Sequence, residues 1–317
     1  MVDFFKAFLE LAPSEGMVFE AIRLGDDRND YLARTADGAP VFLIEDSCPS
    51  HYRVSRSLRH ITIDYQVRCK IKLAGGYREG VFAMVHCSAG SSEFHQLFVK
   101  CLGSVIRSLP SKRTTNEIES QLAKLIEIFY SLSNSSSKRT SGLWAELWII
   151  ANSSSVTRAL EAWHDSADER FDFANSNMLV EVKSTTKPIR NHEFSLEQLS
   201  VREPQKGIVA SLLLQPLTSG KSILDLVDQI ERASNLSFEL KRKLWKNISQ
   251  ALGSEFERRL EKRFDVAYAA KNILFFDMSE IPKPTPITDP RITSVRFVSN
   301  LSGVASYPNS LLQTLFN

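Results

Sequence analysis

The chain has 317 residues, 43% of them apolar and 24% charged, with a formal net charge of +2. That is an ordinary globular balance, with room for one large or two modest domains. No apolar run approaches the roughly 20 residues that cross a bilayer, and Met1-Val2-Asp3-Phe4-Phe5-Lys6 lacks the basic-then-apolar order of a signal peptide, so a cytoplasmic location and no membrane partner are expected.

Residues 3–12 read as a short helix with Phe4, Phe5, Phe8 and Leu9 on one stripe. Strands are expected at Met17–Leu24, Asp30–Arg34 and Val41–Ile44, separated by polar turns. From Ile61 to Leu73 apolar and polar residues alternate, giving one core face and one wet, mostly basic face. Val81–Cys87 follows the Gly75-Gly76 break as a shorter strand, and Glu93–Leu109 has the period of a helix stopped by Pro110. Residues 1–111 thus form an N-terminal β-rich module. Its segment 51–113 carries eleven Lys/Arg against three Asp/Glu, which suits phosphate contact or, equally, a solvated strand face. Cys48, Cys69, Cys87 and Cys101 contain no C-x-x-C pair, so buried reduced thiols are expected rather than a zinc site.

The second domain is expected over 112–317. Thr114–Ser131 reads as a helix with Thr115 as N-cap, Ser133–Ser141 as a serine-rich loop, and the segment Gly142-Leu143-Trp144-Ala145-Glu146-Leu147 as part of a helix. Phe171-Asp172-Phe173 and the strand around Glu181-Val182-Lys183 form a hairpin about the turn Asn175-Ser176-Asn177. Alternation along a strand puts Glu181 and Lys183 on one face, with Val182 opposite, and the hairpin brings Asp172 towards them. Leu196–Leu199 opens a helix, Gly207–Leu214 is an unbroken apolar strand suited to a sheet centre, and helices are expected at Ser222–Arg232 and Ser237–Leu252. Glu255–Arg263 is a charge-rich helical stretch, Val266–Phe276 and Ile292–Val298 are late strands, and the proline-rich Ile281–Pro290 is extended.

Asp172, Glu181, Val182 and Lys183, with Glu146 on the preceding helix, resemble the motif of the PD-(D/E)XK nuclease superfamily. Gly142–Leu147 and Glu181–Ser184 are most similar to a bacterial family of PD-(D/E)XK-motif proteins found beside restriction-modification-type genes. One departure is Phe171 where the superfamily often has proline. The resemblance implies an α/β fold with a restriction-endonuclease-like core, a central mixed sheet flanked by helices. It implies a Mg2+ (or Mn2+) site made by Asp172, Glu181, the Val182 carbonyl and Glu146, and a polar residue after the hairpin, for which Gln198 is the candidate. Carboxylate oxygens suit a hard divalent cation, and Lys183 offers a point charge near the reacting phosphate. Asp165, Asp168 and Glu169 are nearby substitutes for Asp172 in a more loop-like setting.

The expected function is metal-dependent hydrolysis of DNA phosphodiester bonds in a bacterial restriction or phage-defence system. The alternative is a non-catalytic DNA-binding or scaffold subunit of a multi-protein defence complex. Partners on this reading are DNA, a second copy of the chain for double-strand cleavage, and ATPase or methyltransferase components, since no G-x-x-x-x-G-K-[ST] loop is present. The bland reading of the same residues is exposed ion pairing, with Trp144 and Trp148 as packing groups.

Overall fold

The computed structural model describes residues 3–49, 53–57, 60–73, 75–87, 90–132, 134, 136, 138–166, 169–201, 204–285, 289, 291–292 and 294–317. Asp168, and parts of the expected loop at 133–141 and of the extended run at 281–290, lie outside the described residues. The chain is mixed α/β and divides into two compact units, one comprising Met1–Ser135 with Ser237–Glu257 and the other Ser136–Leu236 with Arg258–Asn317. This grouping differs from a single cut at 111/112. Among the described residues, no helix is long and apolar enough to cross a membrane.

The first unit begins with α1 (Phe4–Leu9), capped by the Asp3 carboxylate, which accepts hydrogen bonds from the Phe5 and Lys6 amides. Then come β1 (Val18–Arg23), β2 (Tyr31–Arg34), β3 (Pro40–Glu45), β4 (Arg56–Ser57), β5 (Ile61–Leu73) and β6 (Gly76–Cys87). The order β1-β2-β3-β6-β5 is antiparallel throughout, and β1 also pairs in parallel with β5 (Phe19 opposite Ile71), which closes five strands into a barrel. Phe19, Tyr31, Val41, Leu43, Ile71 and Phe82 fill it. The alternation of β5 is interrupted between Asp64 and Val67, where Gln66 adopts φ +56° in a bulge that increases strand curvature. Beyond the Gly75-Gly76 break, β6 starts at Gly76, whose φ of +128° only glycine adopts without strain, so this strand is longer than its apolar run.

On the basic face of β5, Lys70 pairs with Glu79 at 3.2 Å and Lys72 with Glu20 at 3.8 Å. Helices α2 (Ser92–Arg107) and α3 (Thr115–Ser131) complete the local sequence, and α3 packs on the later helix Phe238–Leu252, which is why both belong to this unit. The N-cap of α3 is Thr114 rather than Thr115: its hydroxyl accepts from the Glu117 amide while the Glu117 carboxylate returns to the Thr114 amide, a capping box.

The second unit contains α4 (Thr140–Asn152), α5 (Val156–Ala162), β7 (Phe173–Ala174), β8 (Met178–Thr185), β9 (Asn191–Ser195), β10 (Lys206–Leu213), β11 (Pro216–Lys221), α6 (Ile223–Ala233), β12 (Ile273–Asp277), β13 (Arg296–Asn300) and β14 (Ser306–Tyr307). Five of these strands form a mixed sheet in the order β14-β12-β10-β8-β7, in which β8 and β10 are parallel and the other pairs antiparallel. β10 is central and buried from Gly207 to Leu212, as its unbroken apolar run predicts. β9 and β13 form a separate two-stranded ribbon. α4 packs on β8 and α6, and its Leu143, Trp144, Leu147, Trp148 and Ile150 are all buried, so both tryptophans are core groups.

Three local expectations change. Val266–Asn272 is a helix rather than the start of a strand, because the Asp265 carboxylate caps it through the Ala267 and Tyr268 amides and its alanines favour that state; the strand begins at Ile273. Leu196–Leu199 opens no α-helix and makes only a 3-10 turn, Glu197–Leu199. The last expected strand forms at Arg296–Asn300, where β9 offers a partner, rather than over 292–298.

Candidate active site

The site is built on the edge of β8. The turn forms as its residues predict: Asn175 Oδ1 accepts from the amides of Asn177 (2.9 Å) and Met178 (2.7 Å), and the Asn175 amide donates to the Met178 carbonyl. Of the first hairpin arm, Phe173 and Ala174 pair with β8, opposite Val180 and Leu179, and Asp172 stands just before β7 rather than inside a strand. With no further β7 residue to meet the ladder, the Val182 amide donates instead to Asp172 Oδ2 at 2.7 Å. The N–H and C=O of an extended residue point to the same side of a strand, so the Val182 carbonyl faces the Asp172 edge as well.

Glu181 is 5% exposed on one face of β8. Lys183 Nζ lies 2.8 Å from Glu181 Oε1, and Gln198 Nε2 donates to the same oxygen at 2.7 Å. Gln198 Oε1 in turn accepts from the Ser195 amide at 3.1 Å and lies 3.5 Å from Lys183 Nζ. One amide on the short turn therefore orients both charged groups of the strand, with the Lys183 ammonium also over the Phe194 ring, 5.0 Å from its centroid.

Glu146, 2% exposed, comes from α4. Its carboxylate accepts from Trp163 Nε1 at 2.9 Å and lies 3.5 Å from His164 Nε2. Lys138 Nζ sits 2.7 Å from Glu146 Oε1, 3.3 Å from His164 Nε2 and 3.8 Å from Asp172 Oδ1. The ligand atoms of Glu146, His164 and Asp172 lie within 4.8 Å of one another, a spacing that suits a single cation. The sequence-predicted residues Glu146, Asp172, Glu181, Val182, Lys183 and Gln198 thus gather in one region. The tight three-ligand cluster takes His164 in place of Glu181, whose carboxylate turns to Lys183 and Gln198.

Two residues of the region, Lys138 and His164, carry no motif. Lys138 lies in the serine-rich run, eight positions before Glu146, and only folding brings its ammonium back. His164 is fixed by the bridge of Trp163 to Phe173 and by its amide donating to the Asp172 carbonyl at 2.9 Å. Its one mark in the sequence is its place directly after Trp163 and eight positions before Asp172.

The electrostatics separate the carboxylates. Burial raises Asp172, and the charges of Glu146 and Glu181 push it further, so its pKa stands well above the usual carboxylate value despite Lys138 and the Val182 amide. Burial likewise raises Glu181 against the opposing pull of Lys183. Glu146 is also penalised by burial, but Lys138 and His164 outweigh that and hold it down at about 2. Burial disfavours the Lys138 ammonium, yet Glu146 and Asp172 more than restore it and raise its pKa. A pocket of crowded carboxylates, part of whose repulsion is unrelieved, is suited to an added positive charge.

No curated protein and no solved structure matches this chain. A family model described as "Putative PD-(D/E)XK family member" (DUF4420) matches residues 10–302, spanning both compact units and every residue of the site. The chain belongs to that family.

Proposed function

We propose that the protein is a DNA endonuclease that uses Mg2+ or Mn2+ to hydrolyse phosphodiester bonds in bacterial restriction or defence. The observation that carries this reading is the Asp172 carboxylate held against the Val182 amide, beside the Glu181–Lys183 pair on the same strand. Membership of a PD-(D/E)XK family supports a nuclease role.

The donor set fits a hard divalent cation: carboxylate oxygens from Asp172 and Glu181, and the Val182 carbonyl on the same edge. Such a cation, when bound, polarises a phosphate and acidifies water. Asp172 is fixed for this task by its bond to the Val182 amide, which sets the carboxylate without consuming both oxygens. Glu181 is oriented by Gln198, and its negative charge holds Lys183 in place. The Lys183 ammonium is then positioned to orient the attacking water and to offset charge developing on the phosphate oxygens. Glu146, kept ionised, supports the Lys138 charge next to Asp172. Cutting both strands of a duplex needs two such sites, which a second copy of the chain would supply.

A second reading, a non-catalytic DNA-binding or scaffold subunit, is favoured by the internal balance of the site: Lys138 answers Glu146 and Lys183 answers Glu181. Plasmid nicking in MgCl2 or MnCl2 separates the two. The nuclease reading expects nicking by the wild type and its loss in Asp172→Ala and Lys183→Ala. Equal nicking by all three proteins, or DNA binding with no cleavage under either metal, would overturn it.

A further inference from the structure

Lys138 has no part in the motif, yet its ammonium occupies the middle of the Glu146–His164–Asp172 cluster. It lies 2.7 and 2.8 Å from the two oxygens of Glu146, 3.3 Å from His164 Nε2 and 3.8 Å from Asp172 Oδ1. These are the three groups whose ligand atoms fall within 4.8 Å of one another. A divalent ion bound by the same three groups would overlap the ammonium nitrogen, which already lies within 3.3 Å of both Glu146 oxygens and of His164 Nε2.

We propose that Lys138 is a built-in cation that takes the place of a metal ion between Glu146, His164 and Asp172, so that this position accepts a divalent ion only when the lysine is removed. The proposal refines the cation site of the nuclease reading and rests on it in one respect, that the region recognises divalent cations.

Several observations converge on it. The lysine is seated by an array of acceptors rather than by one partner. Glu146 is otherwise held by Trp163 Nε1, so its carboxylate does not need Lys138 for orientation. His164 Nε2 is the ring nitrogen that faces both Lys138 and Glu146 Oε2, so it is the atom a metal at this position would take. Asp172 Oδ1 faces the lysine while Oδ2 is taken by the Val182 amide. Glu181 lies outside the tight cluster and has Lys183 instead. The region therefore has two cation positions of different kinds: one along the Asp172–Val182–Glu181 edge, and one already filled by the protein. A fixed ammonium supplies charge to Asp172 and Glu146 without a second metal, and it does so at any metal concentration.

The test counts Mn2+ ions bound per chain by equilibrium dialysis, without DNA, in wild type, Lys138→Met, Lys138→Arg and the double variant Lys138→Met/His164→Ala. Circular dichroism checks that each is folded. Lys138→Met should bind one more ion than the wild type, Lys138→Arg the same number as the wild type, and the double variant should lose the added ion. Equal counts for wild type and Lys138→Met overturn the proposal, as does an added ion that survives His164→Ala. A wild type that binds no ion while Lys138→Met binds one supports the lysine's role and removes the Asp172–Glu181 metal reading. The two ideas therefore fail separately.

Discussion

Asp172 Oδ2 accepts a hydrogen bond from the Val182 amide at 2.7 Å, so a side chain completes the ladder where β7 ends. The bond fixes the carboxylate at the strand edge and leaves it crowded by Glu146 and Glu181, which with burial raise its pKa. A group whose folded pKa lies above its unfolded value contributes stability only at low pH, and that contribution is lost as pH rises through the raised value. At neutral pH without metal, Asp172 is therefore a cost. Asp172→Asn should melt higher than the wild type at pH 7.5, and the gap should narrow as pH falls. MgCl2 should raise the melting temperature of the wild type and leave Asp172→Asn unmoved. A variant less stable than the wild type at neutral pH would contradict this account.

Gln198 holds Glu181 at 2.7 Å and stands 3.5 Å from Lys183, so it acts through both. Outer partners of metal ligands are worth about 10–100-fold in affinity or activity. On the proposed nuclease reading, Gln198→Ala should weaken Mg2+-dependent nicking by about that factor, with part of the loss recovered at higher metal concentration. Unchanged metal dependence would make Gln198 a packing residue of the turn.

His192 is buried in β9 and its Nε2 lies 2.7 Å from Ser211 Oγ, which also accepts from Arg190 at 2.8 Å. Burial, with the nearby charges of Lys183 and Arg190, lowers its pKa from 6.5 to about 4. The unfolded chain binds more protons between those values, so stability rises with pH across that window and is complete above the upper one. By the size of the shift, the wild type should lose about 3 kcal/mol more than His192→Gln between pH 7 and pH 4. Urea denaturation of both proteins at the two pH values measures the difference, and parallel losses would argue against a buried neutral imidazole.

In the first unit Asp30 is fully buried, with Arg113 Nη2 at 2.6 Å from Oδ1 and the Glu45 amide donating to the same oxygen at 2.9 Å. Arg28 lies 3.5 Å away and also donates to the carbonyls of Ile106 and Leu109, tying the β2 turn to the end of α2. Removing one member of a buried pair strands the other, at about 3–5 kcal/mol. Asp30→Ala should lower the unfolding free energy by that amount, read from its urea midpoint. A loss below about 1 kcal/mol would mean that water reaches Arg113.

Thr114→Ala removes the hydroxyl half of the α3 capping box and should cost about 1 kcal/mol, whereas Thr114→Ser, which keeps the hydroxyl, should cost little. Thermal unfolding of the two variants measures the cap, and equal melting temperatures would argue against it.

The elements whose signals are local were legible in the residues alone. The period-2 run of β5, the apolar run of β10, the asparagine turn and the helical period of α2 each specify an element through the spacing of its own side chains. The motif at Asp172, Glu181, Val182 and Lys183 was legible for the same reason, since a hairpin makes near neighbours in sequence near neighbours in space. The closure of β1 onto β5, the grouping of α3 with Phe238–Leu252, and the arrival of Lys138 and His164 beside Glu146 came from the folded chain and not from any local pattern. Each of these joins segments whose own residues carry no period or spacing that points to the other. Long-range pairing is set by which buried surfaces and charges are left to satisfy one another once the local elements have formed.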